Sequence, residues 1–176
     1  FEGIFWREKV NAAIIEGDSF HRYTRDEIRE RIVKAESQGQ RGISHFGPEA
    51  NLLEELEHLF RTYGESGGGK RRHYLHHAEE ASRRGLKVGS FTPWEELPPD
   101  TDCLFYEGLH GAVTTDKVNT GRHADLLIGV VPITNLEWIQ KIHRDTKTRR
   151  HSPEAVQQTI LRRMHDYVHY ILPQLT

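Results

Sequence analysis

Three short apolar runs punctuate the chain: Ala12-Ala13-Ile14-Ile15, Cys103-Leu104-Phe105-Tyr106, and Leu126-Leu127-Ile128-Gly129-Val130-Val131. Each is apolar on both faces, the pattern of parallel strands covered by helices on either side. Each halts at polar or turn-forming residues: Glu16-Gly17-Asp18, Glu107-Gly108, and Pro132-Ile133-Thr134-Asn135. In open α/β sheets, ligands bind beyond the carboxyl ends of the strands, so chemistry is expected in the residues just after these runs.

Helices fill the intervals. Thr24 with Glu27 forms a capping-box pattern that opens a helix with Ile28, Ile32 and Val33 inward. Pro48 suits the first turn of a second helix carrying Leu52, Leu53, Leu56, Leu59 and Phe60, with Gly64 as its stop. Residues 135–144 place Leu136, Ile139 and Ile142 at helical spacing. Ser152-Pro153 starts a last helix with Val156, Ile160, Met164 and Val168 on its apolar stripe, ending before Pro173. Between Tyr63 and Pro99 the pattern loosens, which predicts an insertion of loops and a hairpin at about 64–100 within a single domain of residues 1–176.

Bulk properties narrow the function. Hydrophobic residues make up 36% and charged residues 28% of 176, the balance of an ordinary globular protein. No apolar run reaches the ~20 residues that cross a bilayer, and Cys103 is the sole cysteine, so the expectation is a cytoplasmic, disulfide-free protein with an inert core thiol. A net charge of -2 argues against nucleic acid. Positive charge is local, at Lys70-Arg71-Arg72 and from Lys141 to Arg150, which suits a small anionic ligand.

Two motifs mislead. Gly64-Glu65-Ser66-Gly67-Gly68-Gly69-Lys70 fits most of the phosphate-cradling pattern G-x-x-x-x-G-K-[ST], but Arg71 replaces the magnesium-holding hydroxyl and a helix precedes it instead of a strand. It reads as a surface loop whose Lys70, Arg71 and Arg72 remain available to an anion. His143-Arg144-Asp145 matches the protein-kinase H-R-D, yet Arg150 stands where that motif needs Asn. His73, His76 and His77 match no strong zinc spacing.

Three constellations can carry chemistry. In Glu16 to Arg25, Asp18 follows the first strand, Gly17 lets the backbone turn, and His21 and Arg25 follow at one-turn spacings. A carboxylate that takes a hydroxyl proton beside cations that hold a phosphate is what phosphoryl transfer to an alcohol requires; a helix cap with solvated charges fits the spacing equally well. Glu107 ends a hydrophobic strand, as magnesium-holding acids do in nucleotide-binding folds, or is a strand-end acid without a metal. Lys141, Arg144 and Asp145 share a helix face, with Arg149 and Arg150 beyond them as a lid over transferring phosphates; a surface ion pair is the plain alternative.

The stretches EGDSFHRYTR (Glu16 to Arg25), SHFGPEAN (Ser44 to Asn51), LFYEGLHGA (Leu104 to Ala112) and GVVPITNLEWIQKIHRD (Gly129 to Asp145) resemble, in order, those of the bacterial phosphoribulokinases, in the P-loop family that also holds uridine kinase. The resemblance implies an α/β P-loop kinase fold: a three-layer sandwich with a largely parallel central sheet flanked by helices. It implies ATP and Mg2+ as cofactors and phosphorylation of the C1 hydroxyl of ribulose 5-phosphate in the Calvin cycle. Asp18 would be the base, with His21, Arg25, Arg144, Arg149, Arg163 and His76 binding substrate. Lys141 and Asp145 would be catalytic, Glu107 would support magnesium with Asp18 as a second ligand, and Arg7 would sit at an allosteric position answering NADH or AMP in a homo-oligomer. The family's glycine-rich ATP loop and its C-terminal strands have no counterpart in this sequence, so a partial kinase domain is expected. A paralogous kinase for another sugar phosphate or small metabolite is the first alternative, and a non-catalytic anion-binding module the second.

Overall fold

The computed structural model describes residues 1–40, 42–130, 134–149 and 151–175, with side chains in the fifth helix from 136 to 147. In chain order the elements are α1 (Glu2–Glu8), β1 (Ala12–Glu16), α2 (Arg25–Ser37), α3 (Leu53–Ser66), β2 (Lys70–Arg71), α4 (Ala78–Arg83), β3 (Glu95–Glu96), β4 (Cys103–Glu107), α5 (Thr134–Arg149) and α6 (Pro153–Asp166). They form two compact units, Phe1–Asp125 and Leu126–Thr176.

The first unit is built on β1 and β4, which pair in parallel with Ala12 opposite Cys103 and Glu16 opposite Glu107. This register brings both strand ends, with their acidic residues, to one edge. Ala13 and Ile15 point into a core with Phe20, Leu56, Leu59, Phe60 and Leu97. Leu56 is fully buried; a side chain of that size contributes roughly 1.5–3 kcal/mol through burial. The 64–100 segment contains a minimal antiparallel hairpin, Lys70 opposite Glu96 and Arg71 opposite Glu95, with α4 between.

Local signals act as their chemistry dictates at several points. Thr24 accepts from the Glu27 backbone N–H while the Glu27 side chain accepts from the Thr24 N–H, a full capping box. Ser152 caps α6 by accepting from the Ala155 N–H. The α3 boundaries differ from the expectation. Pro48 opens a separate 3-10 turn, Pro48–Ala50, and α3 starts at Leu53. It ends at Gly67, whose φ of 69° is the left-handed conformation that glycine adopts without penalty, so Gly64 is an ordinary helical residue.

Other differences share one cause: an apolar stripe is buried only where something packs on it. Ile28 is buried but Val33 is exposed on α2. The third expected strand is irregular and exposed over 126–130, because no strand among the described residues pairs with it; Val131 to Ile133 lie outside the described residues. In the second unit, α5 packs on α6, which buries Val156 and Ile160 but leaves Leu136, Ile139 and Met164 exposed, so Met164 is not core. After α6 the chain widens into a π turn, Tyr167–Ile171, and a 3-10 turn that includes Pro173.

Candidate active site

Asp18 lies in the 3-10 turn Gly17–Phe20 that leaves β1. The turn is anchored from within and by the residue that precedes α3: Ser19 Oγ donates to Glu16 O at 2.6 Å, and the Leu52 N–H donates to Phe20 O at 2.8 Å. Gly17 is required for close approach and not for a positive φ. A Cβ there would stand 2.7 Å from the Gly108 Cα and 2.7 Å from the Tyr106 hydroxyl. The two strand ends therefore touch through glycines, and Tyr106 fills the space beneath. Burial holds the Tyr106 phenol well above its usual range.

The half-exposed Asp18 carboxylate stands between two imidazoles: His21 Nε2 is 3.3 Å from Oδ1 and His76 Nε2 is 3.5 Å from Oδ2. The charge state of His21 follows from its second nitrogen. The buried Asn51 amide spends both N–H groups on carbonyls, His45 O and Gly47 O, each at 2.8 Å. Its oxygen therefore faces His21 Nδ1 at 2.8 Å, and that nitrogen must donate. Nε2 faces the Asp18 carboxylate at 3.3 Å, and the two oxygens together favour the doubly protonated ring. Burial alone would lower its pKa, but the bonds to Asp18 and Asn51 outweigh burial and raise it. Asp18 is reciprocally lowered, first by the His21 hydrogen bond, against the opposing effect of burial, with His21, His76 and His45 adding charge.

Arg25, at the first position of α2, donates to His76 O at 3.4 Å and lies over Tyr74. Asp18, His21, Arg25 and His76 are thus brought together in the first unit, two of them from the turn after β1, one from α2 and one from the 64–100 segment. Glu107 is exposed at the end of β4 beside Glu16. Among the described residues no three metal-ligating side chains converge. One or two carboxylates plus substrate phosphates are a usual magnesium set, so Glu107 and Asp18, hard oxygen donors at one sheet edge, fit that ion. The 64–70 run does not cradle a nucleotide: it is the end of α3 followed by β2. Its cations diverge, with Lys70 on Glu96, Arg71 on Glu95 and Arg72 turned inward.

In the second unit Asp145 is buried on α5 and takes Lys141 Nζ at 3.1 Å and Arg144 Nε at 2.9 Å. Burial would raise its pKa; the bonds from Arg144 and Lys141 prevail and hold it at about 2. Arg163 is exposed on α6. The Arg149 side chain and Arg150 lie outside the described residues. Arg7 lies in the last turn of α1 and pairs with Glu8 at 2.7 Å in the open. Sequence reasoning missed Asn51, although it closes the SHFGPEAN stretch that carried the resemblance, and expected Arg72 to be available to an anion where the structure turns it onto Ser19 O and His21 O.

A parallel strand pair whose first strand leads into a carboxylate set between two histidines is an α/β arrangement with its polar groups gathered at the carboxyl ends of the strands. The chain belongs to the phosphoribulokinase/uridine kinase family, whose model matches residues 1–176. It is 60% identical over 176 residues to a chromosomal phosphoribulokinase of Cupriavidus necator and 59% identical over 174 residues to a phosphoribulokinase of Nitrobacter vulgaris. It covers 60% of the length of each. A solved phosphoribulokinase from Rhodobacter spheroides superposes with a TM-score of 0.84 at 51% identity, over 99% of this chain and 61% of that one. The fold is accordingly that of the P-loop kinases.

Proposed function

We propose that the whole protein phosphorylates the C1 hydroxyl of ribulose 5-phosphate with ATP and Mg2+, giving ribulose 1,5-bisphosphate for carbon fixation by the Calvin cycle. The observation that carries this reading is the Asp18 carboxylate held between His21 and His76 at the end of β1; the relatives' names supply the substrate. Asp18 is ionised at neutral pH and accepts the hydroxyl proton as the sugar oxygen attacks phosphorus. The His21 imidazolium, Arg25 and His76 hold the sugar phosphate and fix the hydroxyl against Asp18. ATP would supply the phosphoryl group, and Mg2+, which Glu107 would hold with Asp18 as second ligand, would neutralise its charge. Lys141 and Asp145 belong to the catalytic set, Lys141 stabilising the transferring phosphoryl, while Arg144, Arg149 and Arg163 bind substrate anions.

We place the two units in a single kinase domain with 64–100 as an insertion, and the protein in the cytoplasm as a homo-oligomer answering NADH or AMP through Arg7. No helix among the described residues is long and apolar enough to cross a membrane. The test is ADP formation by the full-length protein over a panel of acceptors. Ribulose 5-phosphate should give the highest kcat/KM. A better rate with another sugar phosphate would assign the paralogous activity, and no turnover with any acceptor would leave only anion binding.

A further inference from the structure

Arg72 is a cation in an unusual position. Among the described residues no carboxylate pairs with it, yet it is drawn inward far enough that burial pushes its pKa down to about 10. Its Nε donates to Ser19 O at 2.8 Å and an Nη donates to His21 O at 2.6 Å. The flat face of the guanidinium lies 3.8 Å from the Phe91 ring centroid and 4.7 Å from that of Trp94. Phe91 and Trp94 lead into β3, so the clamp belongs wholly to the 64–100 insertion.

The accepted carbonyls are the informative part. A 3-10 turn leaves its last carbonyls without partners inside the turn. In Gly17–Phe20, Asp18 O takes the His21 N–H and Phe20 O takes the Leu52 N–H. Ser19 O and His21 O are left, and both go to Arg72. Ser19 and His21 bracket the turn directly after Asp18. The fork therefore fixes the backbone that sets the direction of the Asp18 carboxylate and the His21 ring, and the aromatic rings fix the fork.

We propose that Arg72 is a positioning residue for phosphoryl transfer: it locks the turn bearing Asp18 and His21 from the insertion, and so couples the 64–100 segment to the reacting hydroxyl. This rests on the reading of Asp18 as the base. Lysine keeps the charge but has neither a planar fork nor two fixed donor directions, so charge and geometry are separable.

The experiment uses the full-length protein and steady-state kinetics with ribulose 5-phosphate, alongside thermal melting. Arg72→Lys is expected to lower kcat by about 10- to 100-fold, the range in which loss of positioning falls, with KM for the sugar phosphate changing less than about threefold, since the Arg72 fork is turned onto Ser19 O and His21 O. Arg72→Ala should lose at least as much, and added methylguanidinium should restore part of its kcat by refilling the slot between Phe91 and Trp94. Arg72→Lys with kcat within twofold of the parent overturns the proposal. So does a loss in both variants that only follows a loss of folded protein and gains nothing from methylguanidinium. If Asp18→Asn itself retains normal turnover, it is the assignment of the base that fails.

Discussion

At the scale of single residues, the site is a set of proton positions fixed by hydrogen-bond accounting. Asn51 has two N–H groups and one oxygen, and two nearby carbonyls leave His21 only the oxygen. Two consequences are measurable. Asp18→Asn preserves shape but cannot accept a proton, so kcat should fall by about 10²–10⁴-fold with melting temperature nearly unchanged, in a coupled assay of ADP release. His21 has a raised pKa, because its bonds to Asp18 and Asn51 outweigh burial, so its imidazolium is lost above the ordinary histidine value. KM for ribulose 5-phosphate should therefore climb as pH rises, with its midpoint above that of an ordinary histidine. The limb should vanish in His21→Asn, and a limb that persists in that variant assigns the titration elsewhere. Asp18 is lowered from 3.8, so its acid limb in kcat/KM falls below the usual carboxylate range.

At the scale of elements, burial and charge pairing decide which helices are secure. Leu56 on α3 is enclosed with Ile15 of β1 and Phe20 of the turn in one core. Truncation to alanine leaves a cavity that the strand pair cannot collapse around; it should cost about 2–5 kcal/mol, read by urea unfolding. The α5 anchor depends on pH. Asp145 has a folded pKa of about 2 against 3.8. A depressed folded value stabilises above the unfolded pKa and is lost as pH falls through the folded one. The second unit should therefore weaken as pH drops from about 5 to 2, and Asp145→Asn should flatten that slope while lowering the neutral plateau, followed by helical circular dichroism.

At the scale of the whole molecule, net charge is only -2 while cations gather at a few places. Attraction of a phosphorylated sugar is then local and screenable. Raising salt from about 0.01 to 0.15 M shortens the Debye length from about 30 to 8 Å, so KM for the sugar phosphate should rise several-fold with little change in melting temperature. A KM indifferent to salt would mean that the cations do not face the ligand.

The sequence alone determined β1 and β4, the Thr24 and Ser152 caps, and the Asp18-His21-Arg25 spacing. These signals are local: an apolar run, a hydroxyl three residues before an N–H, a carboxylate ending a strand. Tertiary structure alone decided that Gly17 serves contact with Gly108, that Arg72 turns inward from its neighbours Lys70 and Arg71, and that His76 reaches Asp18 from 58 residues away along the chain. It also decided that the 126–130 run and the Ile139 face stay exposed. Composition states what a stretch is able to bury or bind; whether it does depends on what the rest of the chain sets against it, and that partner is not written in the stretch itself.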